Sequence, residues 1–184
     1  MKKTAPEYFF KSLVFLGVII LLSLNACSGL KRSGSILYES FYVGEKGTQY
    51  FIKPITFSNQ NSENLRMDYT FRFRNNISTS DTATINFTLR SNQLIREVDS
   101  ICIKTKTNQL TIRNTTSLFM ERENDQFSSR FSSTCPTQFL PDLFHDSNWT
   151  ISVYSKNHST CMSSSRSAKR KIERLNHNLF ALVK

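Results

Sequence analysis

Asp142-Leu143-Phe144-His145-Asp146 places two carboxylates and an imidazole within five residues, the densest group of chemistry-bearing side chains in the sequence. Such donors on one turn can hold a divalent cation. Between Pro141 and Trp149, however, the stretch reads better as a polar turn, and no metal is expected there. A second acidic group, Glu121, Glu123 and Asp125 around Arg122, has oxygen donors at alternate positions. It lacks the glycine and spacing of a calcium loop and reads as a charged hairpin tip. His145, His158 and His177 are the only histidines, each in a different local setting. There is no G-x-S-x-G, no phosphate-binding glycine loop and no H-E-x-x-H. A hydrolase would need His145 or His158 to meet a carboxylate in a cleft, so no catalytic residue and no cofactor is assigned from sequence.

The four cysteines divide into one and three. Before Cys27, Lys2, Lys3 and Lys11 stand against a single Glu7, and thirteen uncharged residues run from Ser12 to Leu24. A basic start, a short apolar run and small residues at its end are the parts of a secretory signal. At 1.5 Å per residue that run reaches about 20 Å, short of the ~30 Å needed to span a bilayer. Leu24-Asn25-Ala26-Cys27 resembles the lipobox of bacterial lipoproteins, with an aliphatic residue three before the cysteine and a small one directly before it. Asn25 departs from the small or hydroxyl residue usual between them. The resemblance covers residues 1–27 and implies that residues 1–26 are removed and that Cys27 carries diacylglycerol. It also implies a further acyl chain, palmitate for example, on the new N-terminus. Ser28 in place of Asp is similar to the enterobacterial pattern for the outer rather than the inner membrane. Residues 27–35 then form a tether that keeps the domain about 15 Å from the bilayer.

Cys102, Cys135 and Cys161 remain. In an oxidising compartment one bridge is expected, and Cys135 with Cys161, in Ser/Thr-rich segments either side of Trp149, is the expected pair. Their spacing matches no zinc or redox motif.

The elements that must position these residues are β-strands. In LRMDYTFRFR, Leu65, Met67, Tyr69, Phe71 and Phe73 alternate with polar partners, and ATINFTLR repeats the pattern through Ala83, Ile85, Phe87 and Leu89. Period two marks half-buried strands, here an antiparallel hairpin with one wet face. QYFIKPITF contains Pro54 and reads as an edge strand. SICIKTK, NQLTIR, TSLFMER and WTISVYS add short strands between polar turns. Residues 36–184 are therefore expected to be one mainly β domain, an antiparallel β-sandwich with Ig-like or barrel-like alternatives. Near the end, Ala168, Ile172, Leu175 and Leu179 recur at helical spacing. They predict one C-terminal amphipathic helix, capped from Ser163–Ser165.

From Cys27 onward, 21 Lys and Arg face 13 Asp and Glu, a net +8, of which +5 lies in the last nineteen residues. Arg166, Lys169, Arg170, Lys171 and Arg174 form a candidate basic contact surface for anionic lipid or an acidic partner. Export argues against nucleic acid. The expected role is a lipid-anchored envelope protein that binds another envelope protein or a surface glycan. The alternatives are an apolar-ligand carrier, with the Tyr69–Phe73 and Ile85–Leu89 faces lining a cavity, and an envelope hydrolase.

Overall fold

Residues 65–73 and 83–89 fold as their alternation demands, as neighbouring strands of one antiparallel sheet. The computed structural model describes residues 37–74, 81–156 and 158–183. The expected signal 1–26, the expected lipidation site Cys27 and the expected tether 27–35 lie outside the described residues. The strands are β1 (Tyr38–Tyr42), β2 (Thr48–Ser58), β3 (Asn64–Phe73), β4 (Thr82–Ser91), β5 (Ser100–Lys104) and β6 (Gln109–Ile112). They continue as β7 (Thr116–Glu123), β8 (Gln126–Pro136), β9 (Thr150–Ser155) and β10 (His158–Ser164). Helix α1 (Phe139–His145) precedes β9, and α2 (Arg166–Leu175) follows β10 and runs into a π-turn at Asn176–Phe180. The order across the sheet is β6-β5-β9-β10-β2-β3-β4-β8-β7, with β1 also paired to β2. The sheet curls into a half-barrel, the barrel-like form of the expected mainly β fold.

Register follows hydrophobicity. Leu65, Met67 and Tyr69 of β3 stand opposite Leu89, Phe87 and Ile85 of β4, so every apolar side chain of the pair falls on the concave face. That face is closed by the helices and the π-turn. Phe180 stacks on Phe71 at 5.8 Å and meets Phe144 at 4.5 Å, and Tyr69 meets Phe144 edge-on at 5.4 Å. Tyr69 and Phe71 of β3 are thus packed against rings, and Phe87 of β4 stacks on Phe131 of β8 at 5.3 Å. Ala168, Ile172, Leu175 and Leu179 are buried as their spacing predicts, and the Ser165 hydroxyl caps α2 by accepting from the Ala168 amide at 3.2 Å. Among the described residues the core forms one cluster, and residues 34–184 form one compact unit. Among the described residues each strand finds its partner within that unit, which is the ground for expecting residues 34–184 to fold on their own.

Two elements differ from expectation. β2 is interior, not an edge: β3 runs along one side, while β1 (to Ile52) and β10 (from Phe57) share the other. Pro54 falls between those two neighbours, opposite the register shift between Ile52 and Ile55, where its missing N–H leaves no ladder bond unmade. And Pro141-Asp142 belongs to α1, whose Leu140, Leu143 and Phe144 are buried; proline fits because the first helical turn has no use for its N–H. At the β1–β2 turn, Gly47 sits at φ +86, with the Phe73 carbonyl and Arg74 packed where a Cβ would be, a conformation only glycine takes without strain.

Candidate functional site

β10 touches β2 only through Ser163 and Ser164, opposite Ser58 and Phe57. Further back along β10 the two strands diverge, and the gap is a cleft of about 870 Å³. The β2–β3 turn forms one wall. Its sequence, Asn59-Gln60-Asn61-Ser62-Glu63, is turn-forming throughout, and the Asn59 side-chain oxygen accepts from the amides of Asn61 (2.9 Å) and Glu63 (3.1 Å). Ser62 takes φ +61 to complete the reversal. The end of β4 supplies Ser91, Asn92 and Gln93, and β10 supplies His158, Ser159, Thr160, Cys161 and Ser163. A recess of about 320 Å³ shares Gln93 and His158 with the cleft and extends it toward Arg96 and Lys156.

Glu63 organises the floor. One carboxylate oxygen accepts from the Ser91 hydroxyl at 2.8 Å and lies 3.1 Å from His158 Nε2. The other accepts from Asn59 Nδ2 at 2.8 Å and the Thr160 hydroxyl at 2.6 Å. Burial raises the carboxyl's pKa, but the bonds from Thr160, Ser91 and Asn59 and the His158 charge outweigh it, so Glu63 titrates below its ordinary value. One side chain thereby ties three strands together where their own ladder stops. The remaining lining is amides and hydroxyls: Gln60, Asn61, Asn92, Gln93, Ser159 and Ser163, with Cys161 among them. Asn and Gln each offer donor and acceptor, and Ser does both with one oxygen, a set suited to a ligand dense in hydroxyl groups.

Of the sequence candidates, His158 is brought to this cleft, while His145 and His177 are exposed elsewhere. Asp146 is engaged by the amides of Lys106 at 2.8 Å and Asn148 at 2.9 Å, tying the chain after α1 to the β5–β6 turn. Glu123 pairs with Arg90. Among the described residues no three His, Cys, Asp or Glu side chains converge as a metal would require. Arg166, Arg170 and Arg174 of α2 are exposed, and Lys169 and Lys171 are half-buried. Glu63 carries no sequence motif; its signal is only an ionisable residue closing a turn of amides.

The expected Cys135–Cys161 bridge is not formed: Cys102, Cys135 and Cys161 are all free thiols. Cys135 points into the core from β8, opposite Ala83, whereas Cys161 points out from β10, opposite Ser152. Facing opposite sides of the sheet, the two sulfurs cannot reach the separation a disulfide needs. Burial pushes the Cys135 thiol up to about 12. Iodoacetamide at pH 8 is therefore expected to alkylate Cys161 in the native protein and to leave Cys135 untouched until denaturant is added. Peptide mass spectrometry before and after unfolding checks this, and a two-dalton loss at both cysteines would contradict it.

Comparison of the chain with protein-family models, with curated proteins and with solved structures finds no match. Among the described residues no helix is long and apolar enough to cross a membrane.

Proposed function

We propose that this chain is a lipid-anchored protein of the bacterial envelope, held at the outer membrane through Cys27, and that its domain binds a carbohydrate chain in the β2–β10 cleft. The observation that carries the binding reading is the cleft's lining, amides and hydroxyls on a floor held rigid by Glu63. Sugar hydroxyls need paired donors and acceptors in fixed positions, and preorganised side chains lower the entropic cost of meeting them.

The Glu63–His158 contact favours one second reading, an envelope hydrolase. Two observations weigh against it. Each Glu63 oxygen already has two neighbours, which leaves little capacity to take a proton from water. Glycoside cleavage also uses two carboxylates across the bond; among the described residues Glu63 is the one carboxylate of the cleft itself, and Glu97, in the adjoining recess, is exposed and paired with Lys156 at 3.6 Å. The carrier reading has less support, because Tyr69 and Phe71, on the first of the two faces it needs, are packed on Phe144 of α1 and Phe180 of the π-turn.

The anchor and the cleft are tested separately. Mass spectrometry of the mature protein is expected to show acylated Cys27 as its first residue; an unmodified Cys27 would remove the anchor. For the cleft, soluble glucan and amino-sugar oligomers are titrated into the isotopically labelled domain and followed by NMR. Shifts are expected at Gln60, Asn61, Gln93 and Ser159, and Gln60→Ala with Gln93→Ala should weaken binding about tenfold by removing two side-chain hydrogen bonds. Unchanged spectra across the panel would end the carbohydrate reading, and turnover of an oligomer would replace it with the hydrolase.

A further inference from the structure

The convex face of β1, β2 and β3 sets two exposed rings beside three cations. Phe41 and Phe51 are 56% and 41% exposed and meet edge-to-face at 5.7 Å, an aromatic pair turned toward solvent. Lys53 lies two residues beyond Phe51 on the same face of β2. Lys171 reaches over from α2, its ammonium donating to the Pro54 carbonyl at 2.8 Å. Arg66, exposed on β3, stands opposite Thr56 in the same stretch. Glu39 answers Lys53 at 3.4 Å, which leaves two of the three cations without a carboxylate among the described residues. Burial and then the neighbouring charges of Lys53 and Arg66 lower the Lys171 pKa, so the three cations crowd one another.

A free-standing surface gains nothing from that crowding. Repulsion among cations and exposure of two phenyl rings both cost stability, and both are relieved by the same kind of partner. The geometry points to this face as a contact surface for an anionic lipid bilayer, with Phe41 and Phe51 entering the headgroup region while Lys53, Arg66 and Lys171 meet lipid phosphates. A protein partner would meet the charges equally well, but two exposed rings beside three cations suit a planar, fluid, anionic surface. The chain also enters the domain at Leu37, beside this face, with the Leu37 carbonyl bonded to the Lys53 amide at 3.0 Å. A lipid on Cys27 would keep this face within reach of a bilayer. That last point rests on the anchored reading; the charges and rings do not.

Flotation of residues 34–184, which lack the anchor, with lipid vesicles tests the surface apart from the lipid. Binding to vesicles containing phosphatidylglycerol is expected, with little on phosphatidylcholine alone and progressive release as salt is raised. Arg66→Gln should weaken binding about fivefold, as expected for one charge at an anionic surface. Phe41→Ser with Phe51→Ser should weaken it about tenfold through lost apolar contact. All these positions are exposed, and circular dichroism confirms that each variant folds. Equal binding to neutral vesicles, or vesicle binding untouched by both sets of changes, would overturn the inference. So would displacement by inorganic phosphate at constant ionic strength, which would mean a discrete anion site. Failure here leaves acylation of Cys27 intact, and loss of the anchor leaves this result standing.

Discussion

Replacing Trp149 by alanine is expected to destabilise the domain by about 4 kcal/mol, the loss typical of a fully buried large aromatic side chain. Trp149 is the only tryptophan and is 1% exposed. It stacks on Phe57 of β2 at 5.8 Å with the rings 8° from parallel, and meets Phe144 of α1 edge-on at 4.9 Å. Its indole N–H donates to the carbonyls of Leu143 (3.1 Å) and Asp146 (2.6 Å). Those carbonyls sit at the C-terminal end of α1, where helical backbone acceptors have no partner of their own. Seven residues of helix do not stand alone in water, so α1 depends on this packing and this cap together.

The two roles separate by substitution. Trp149→Phe keeps most of the ring contact and removes the donor, and is expected to cost about 1–2 kcal/mol. Trp149→Ala removes both. Urea unfolding followed by far-UV circular dichroism measures each, and with a slope near ~2 kcal/mol per molar the alanine midpoint should fall by about 2 M. Amide exchange across residues 139–146 should accelerate in both variants. If exchange in α1 were unchanged in Trp149→Phe, the indole would be packing without capping.

How much of this was legible in the sequence depended on the range of the interaction involved. The β3–β4 pair was readable because both faces of each strand declare themselves every second residue, and the partner strand follows within a few residues of sequence. The α2 stripe was readable for the same reason at helical spacing. Helix α1 was not: seven residues show less than two full turns of periodicity, and Pro141 mimics a turn. Pro54 misled because the rule against proline in interior strands assumes a continuous neighbour, and β2 has two partial ones on that side. The Cys135–Cys161 expectation failed on facing, since segment composition says nothing of which side of a sheet a sulfur occupies. The cleft was the least visible of all. It is assembled from a turn at 59–63, the end of β4 and the start of β10, and the bonds to Glu63 join residues as much as 97 positions apart.

Glu63 yields the second large effect, one that depends on pH. Its folded-state pKa is below its ordinary value of 4.5, so the native state holds the charged carboxylate more tightly than the unfolded chain does. The sign follows from linkage: the stability gained is fully present above the unfolded value and is lost as pH falls through the folded one. The domain should therefore weaken as pH drops from about 5, as acid protonates the acceptor of Ser91, Asn59 and Thr160. Glu63→Gln is expected to cost about 3 kcal/mol at pH 7, because an amide turns a donor toward donors and leaves His158 without its carboxylate. It should also flatten the acid limb of the stability profile, since the titrating group is gone. Urea midpoints from pH 7 down to 3, for wild type and Glu63→Gln, read both quantities. A variant destabilised at pH 7 with an unchanged acid slope would place the pH dependence on other carboxylates. A flattened slope with unchanged stability at pH 7 would mean that the turn at 59–63 holds β10 without it. The loss of both together is what a carboxylate tying three strands at the floor of the cleft requires, and it would locate the cleft's rigidity in that one side chain.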